Sequence, residues 1–267
     1  MIYWAKFLAV FVLANSAMAD DADNMIMFPD PSAAPRTQLP EFGGLPARLL
    51  NAGQDGGKVA VIETPSDWSF DFPRQRDYSL ELLVISGELS WGREALRRHD
   101  YAYLPAGVNA PSLAGNQAAT VLVFFDPPRE TDASEGNVVH SSGKNWRVGS
   151  VATRDTGKTL NLEVMDLLHV EETGQRTWLL RAGTDLDVPW ERHSTVEEGY
   201  LLSGEYRLVE CLSQGQVASN YVAGGYFYRP AGIIHSGPES GALTDVLWLL
   251  RSPSRLDVTF IPDCDVH

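Results

Sequence analysis

Along most of the chain, short apolar runs alternate with polar clusters. Lys58-Val59-Ala60-Val61, Glu81-Leu82-Leu83-Val84-Ile85 and Thr120-Val121-Leu122-Val123 are examples. Each is rich in Val, Leu, Ile or aromatic residues and is bounded by Gly, Pro, Asp or Ser, the pattern of strands closed by turns. No long stretch holds the apolar period of an amphipathic helix. Strands arriving about every eight to twelve residues predict an all-β chain folded as sandwiches or barrels.

The pattern occurs twice. Leu49-Leu50, a turn with Gly56 and Lys58 to Val61 match Leu167-Leu168, a turn with Gly174 and Arg176 to Leu179, at an offset of 118 residues. Glu81 to Leu89, with Ser86-Gly87-Glu88, matches Glu198 to Tyr206, with Ser203-Gly204-Glu205, at an offset of 117. Leu104-Pro105-Ala106-Gly107 and Thr120 to Val123 match Arg229-Pro230-Ala231-Gly232 and Asp245 to Trp248, both at 125. Three blocks in one order predict two tandem β-barrels of the double-sheet jelly-roll type, related by a pseudo-twofold. The boundary is expected in the polar stretch Arg129 to Asn145, giving barrels at residues 20–140 and 141–267. Before the first repeat, Phe28-Pro29-Asp30-Pro31-Ser32-Ala33-Ala34-Pro35 reads as an extended arm able to add a strand to the neighbouring barrel.

The first nineteen residues differ in kind. One Lys, an apolar run from Phe7 to Ala14, polar Asn15-Ser16 and the small-x-small site Ala17-Met18-Ala19 have the anatomy of a cleaved secretory signal. The run is far shorter than the about 20 residues a spanning helix needs, and acidic Asp20, Asp21 and Asp23 follow at once. The expected location is therefore the periplasm or the medium, with no membrane association after cleavage. The rest of the composition, 44% hydrophobic and 21% charged in 267 residues, is that of a globular chain with a sizeable core. With 21 basic against 35 acidic residues it has no basic stripe for phosphates, which excludes a nucleic-acid partner. Two cysteines, Cys211 and Cys264, would sit in a compartment that permits disulfides. Sequence leaves open whether they pair or whether Cys211 is a small core residue.

The candidate chemistry lies in the second repeat. Glu191 and His193 are two apart, so on a strand both face one interior. A turn returns Glu197, and the bend Pro230-Ala231-Gly232 aims His235 from another strand. Imidazole nitrogens and carboxylate oxygens converging inside a dry barrel make a divalent-metal site. The alternative is a barrel in which His193 and His235 fill hydrogen-bonded core positions. Tyr226 and Tyr228 alternate on the strand entering the bend and Trp248 lies in the terminal strand, and ordinary core packing accounts for all three.

These spacings resemble the two motifs of the cupin superfamily. The likeness covers His193, Glu197 and Gly204 with the gaps between them, then Gly224, Pro230, Gly232 and His235. The two-repeat layout and the pair Glu197-Glu198 are similar to bicupins related to ChrR-type anti-sigma factor cupins and to acetylacetone dioxygenase. The resemblance implies one divalent ion, iron, zinc or manganese, held by His193, Glu197 and His235. Two positions depart from it. Glu191 replaces the first motif histidine, standing as a further ligand or as a catalytic base, and Glu239 replaces an Asn. In the first repeat Arg76, Leu80 and Ala110 occupy the positions of His193, Glu197 and His235, so that barrel is expected to hold no metal. Arg74 or Arg76 could hold an anionic ligand, against the simpler expectation of a solvated or salt-bridged arginine.

Three classes of function follow, one of them a carrier or scaffold for a partner. The first is an exported metal-dependent cupin, an oxidoreductase of dioxygenase type or a lyase, acting on a small oxygenated metabolite. The second is a non-catalytic ligand- or metal-binding sensor related to ChrR. A small-molecule ligand is common to the enzyme and the sensor, and a homodimer is compatible with the resemblance. The leader assignment has a direct check: the intact mass of the exported protein should correspond to a chain beginning at Asp20. A mass that includes Lys6 contradicts it.

Overall fold

The structure, a computed structural model, describes residues 24–53, 57–73, 76–115, 117–129, 135–149, 162–186 and 188–264. The leader, Arg74, Glu130 to Ser134 of the expected boundary, and His267 lie outside these residues. The described residues form two tandem jelly-roll barrels built of strands. Their helical turns are the short 3₁₀ segments Pro31–Ala33, Pro40–Phe42 and Ser141–Gly143. None of their helices is long and apolar enough to cross a membrane.

Each barrel pairs one large sheet with one smaller one. The large sheet of the first runs Asn137–Val139, Tyr101–Leu104, Ser79–Ser86, Ala119–Asp126, Lys58–Thr64, Leu45–Asn51, Arg36–Leu39. That of the second runs Ile26–Phe28, Tyr226–Arg229, Glu197–Ser203, Val246–Ser252, Arg176–Ala182, Leu162–His169, Arg147–Gly149. The order is the same, and the sequence repeat maps strand onto strand. The arm does add a strand across the molecule: Ile26 to Phe28 pair antiparallel with Tyr228 to Tyr226 of the second barrel. Gly87 and Gly204, the matched glycines of the repeat, turn at φ 81° and 89°. A Cβ there would lie 2.4 Å and 2.2 Å from the backbone oxygens of Ala118 and Asp245, so the tight return needs glycine in both barrels.

The two large sheets pack face to face, and strand parity divides their side chains. Leu80, Leu82 and Val84 point into the first barrel, while Leu83 and, on the next strand, Tyr101 and Tyr103 point at the second. Leu201, Phe227 and Trp248 point into the second barrel, while Tyr200, Leu202, Tyr226, Tyr228 and Leu249 meet the first. Burying each large side chain stabilises by about 1.5–3 kcal/mol, so the shared apolar layer holds the barrels together.

Inside that layer sits a buried ion network. Arg251 Nε donates to Glu81 Oε1 at 2.7 Å, and its other nitrogens face Asp126 and, at 3.6 Å, Glu198 Oε2. Glu81 also accepts from Tyr101 Oη at 2.7 Å and from Thr177 Oγ1 at 2.6 Å. Glu81 and Glu198 are equivalent residues of the two repeats, so the network lies where the pseudo-twofold brings them together.

The smaller sheet of the second barrel orders Gly215–Val222, Glu205–Leu212, Ile234–Ser236, Trp190–His193 and Val258–Phe260. Cys211 and Cys264 form a disulfide that ties the segment after its last strand to Glu205–Leu212. In the first barrel Arg76 corrects the expectation of a solvated or salt-bridged side chain. It is 4% exposed and donates to the carbonyl oxygens of Pro105 and Val108 at 2.8 Å and of Tyr78 at 3.3 Å. Backbone oxygens reach it there because Phe72 and Tyr78 flank its guanidinium and keep water away.

The network predicts a large effect. Arg251→Ala leaves Glu81 buried without its cation and Asp126 with Arg129 alone, 3.5 Å away, and should cost about 3–5 kcal/mol in urea unfolding, with part recovered when Glu81 is also replaced by Leu. A loss under about 1 kcal/mol contradicts a buried, coupled network.

Candidate metal centre

The site is assembled from three strands lying side by side. Glu191 pairs in register with His235, and His235 pairs on its other side with Glu210. These three side chains therefore stand abreast on one face of the sheet, with His193 two residues beyond Glu191. The chain must leave His235 sharply. Ser236 has φ 72° and Gly237 φ 77°, and a Cβ on Gly237 would lie 2.2 Å from the Trp190 ring. From the opposite sheet come Glu197 and Arg229, paired in register with each other.

Donor atoms of Glu191, His193 and His235 lie within 4.8 Å of one another. The histidine rings are 4.7 Å apart, and His235 Nε2 is 3.6 Å from Glu191 Oε1. Neighbouring ligands on one divalent ion, each about 2.0–2.2 Å from it, stand about 3–3.6 Å apart, so side-chain shifts of about an ångström close the set. His235 is prepared for that role. Its Nδ1 hydrogen-bonds to the Ile233 carbonyl oxygen at 3.1 Å, which fixes the proton there and leaves the Nε2 lone pair facing the cluster. Burial, with the nearby charge of Arg229 and His193, pushes His235 well below the usual imidazole range and keeps it neutral. The buried Nδ1 of His193 has no hydrogen-bond partner, and burial pushes the Glu191 carboxyl up against the pull of His193. Unsatisfied imidazole and a buried carboxyl are what a bound cation would relieve. Two imidazoles and one carboxylate fit iron, manganese or zinc.

Glu197 is placed differently. Its Oε2 is 3.4 Å from His193 Nε2, but Arg229 Nη1 donates to the same oxygen. Arg229, 2% exposed, also grips Glu210 with two prongs, Nη2 to Oε1 at 2.7 Å and Nε to Oε2 at 3.2 Å. Burial pushes Glu197 up, and the charges of His193 and Arg229 more than offset it, holding the carboxyl below its ordinary range. Burial also pushes Glu210 up, opposed by Arg229. The structure thus gathers Glu191, His193 and His235 and holds Glu197 on an arginine at their edge. Glu239 is on the surface, 3.5 Å from Arg207, and His169 is exposed.

Arg229 and Glu210 were not singled out by motif spacing. The repeat does carry a signal: the register pair Glu197 and Arg229 occupies the positions of Leu80 and Leu104, which pair in the first barrel. A coupled change from two leucines to an acid and a base marks an internal ion pair. Among the described residues, the only group of three potential ligands is the one in the second barrel.

The cluster opens into a cavity of about 310 Å³ with largely apolar walls, including Trp178, Phe227 and Trp248. Tyr226 and Tyr228 face away from it into the layer between the barrels.

No family model and no curated protein matches the chain. Solved structures do. A protein provisionally assigned as a dioxygenase from Nostoc punctiforme superposes with a TM-score of 0.65 at 19% identity, over 90% of this chain and 87% of that one. Protein Ylba from Escherichia coli gives 0.60 at 16%, over 90% and 95%. A tryptophan-to-phenylalanine variant of oxalate decarboxylase from Bacillus subtilis gives 0.60 at 13%, over 88% and 79%. At these identities the likeness shows the fold alone, that of tandem cupin domains.

The geometry ranks the ligands. His235→Ala and Glu191→Gln should weaken zinc binding about a hundredfold in competition with a chromophoric chelator, and Glu197→Gln about tenfold or less. The reverse order for the two glutamates contradicts this ligand set.

Proposed function

We propose that this chain is an exported metal-dependent enzyme, an oxidoreductase of dioxygenase type or a lyase, acting on a small oxygenated metabolite in the periplasm or outside the cell. The observation that carries the reading is the convergence of Glu191, His193 and His235 in a partly open, mainly apolar cavity. A divalent ion bound there would act as a Lewis acid toward oxygen atoms of a ligand. The fold neighbours include proteins whose names indicate dioxygenase and decarboxylase activity, and the donor types here suit either.

The chain's own residues supply the rest. His193 and His235 present their imidazoles from neighbouring strands of one sheet, which places both rings before loading. Glu191 has two carboxylate oxygens, and Oε1 lies 3.5 Å from Ser236 Oγ. One oxygen can serve the cation while the other takes the proton of a bound hydroxyl or enol, which makes Glu191 the proposed base. The apolar walls would hold the body of the ligand.

Protein purified without chelator should carry about one equivalent of iron, manganese or zinc. Oxygen uptake or substrate loss, followed across diketones, hydroxy acids and phenols, should exceed that of chelator-stripped protein for at least one compound. Tight binding without turnover by the loaded protein would replace the enzyme with a sensor.

A further inference from the structure

Three cationic side chains line the cavity among the described residues, Arg147, Arg176 and Arg229. Each of the three pairs with a carboxylate of the chain itself. All three guanidinium nitrogens of Arg229 donate to Glu197 and Glu210. At the other end Arg147 and Arg176 both pair with Asp166, at 2.7 and 2.6 Å, and Arg176 lies 4.6 Å over the Trp178 ring. A carboxylate reaching the metal end would find the arginine beside it fully committed, and the donors left in the lining are the hydroxyls of Tyr206 and Ser236 and, farther out, the remaining nitrogens of the 57% exposed Arg147.

The charge inside points the same way. Three carboxyl groups, Glu191, Glu197 and Glu210, stand around a single buried arginine that two of them already grip, so the side chains at this end offer no surplus cation to hold a further anion. An unpaired charge buried in a low-dielectric site costs several kcal/mol, whereas a neutral ketone or hydroxyl loses much less on entry. The walls, Trp178, Leu180, Val188, Phe227, Trp248 and Leu250, match an apolar or aromatic body. Their volume of about 310 Å³ is at the small end for ligand sites.

We infer that the cavity selects an uncharged molecule with an apolar or aromatic body that offers one or two neutral oxygen atoms to the metal, and that it discriminates against carboxylates of the same shape. This rests on the metal-dependent reading above and narrows it to a substrate class. Arg229 is the positioning residue behind it, because it is spent on internal carboxylates and cannot serve as an anion clamp.

The test uses two probes that share a ring and two oxygens but differ in charge, 2-hydroxyacetophenone and salicylate. Each is titrated calorimetrically into protein loaded with redox-silent zinc, with bound zinc measured before and after. The neutral probe should bind at least about tenfold more tightly, although salicylate is the stronger zinc ligand in water. Equal or tighter binding of salicylate, or no binding of either probe by zinc-loaded protein, overturns the substrate class and leaves the metal site standing. Failure of the protein to take up zinc, iron or manganese overturns the metal-dependent reading, and this inference with it.

Discussion

The central strands of the two large sheets, Ser79–Ser86 and Tyr101–Leu104 in the first and Glu197–Ser203 and Tyr226–Arg229 in the second, are buried on both faces, inside their own barrel on one and against the other barrel on the opposite one. That leaves no solvent side on which to park a charge, so parity alone decides where each polar residue must find a partner. Glu197 and Glu198 show the consequence. Adjacent in sequence, they point in opposite directions, Glu197 to Arg229 inside the barrel and Glu198 toward Arg251 between the barrels. Each carboxylate is tolerable only because a cross-strand neighbour supplies a guanidinium, since a lone buried charge would cost more than the fold can spare. The site and the interdomain network are two faces of one strand.

The same constraint explains why, among the described residues, the candidate site lies in the second barrel. The first barrel fills its interior with apolar side chains such as Phe42, Phe72, Trp91 and Phe125 and closes the position of His193 with Arg76 held by backbone oxygens. The second keeps a cavity and lines its polar end with donors. What the first barrel contributes is a flat partner for the large sheet, so the strands that carry Glu197 and Arg229 are held from behind.

Much of this was legible in the sequence where the physics is local or periodic. Strands, turns and the repeat follow from short apolar runs and matched glycines, and His193 and His235 follow from spacing relative to Gly204 and Pro230. The arm was legible as extended chain, and pairing with Tyr226–Arg229 gave it a place. Other features depend on contacts that spacing does not encode. The face taken by Tyr226 and Tyr228 could not be chosen because both faces of their strand are buried. The Cys211 to Cys264 bridge depends on where the segment after Phe260 runs. Arg229 drew no attention because its partners Glu197 and Glu210 come from separate strands, and only comparison with Leu80 and Leu104 reveals the exchange.

The central claim is that a cation sits among Glu191, His193 and His235 while Arg229 keeps Glu197 apart. A crystal structure of zinc-loaded protein, with anomalous differences collected across the zinc edge, tests it most directly. The account predicts one anomalous peak per chain, within about 2.0–2.2 Å of two imidazole nitrogens and one Glu191 oxygen, and Glu197 still paired with Arg229. A peak in the first barrel, or Glu197 bound to zinc with Arg229 displaced and Glu191 free, would contradict it.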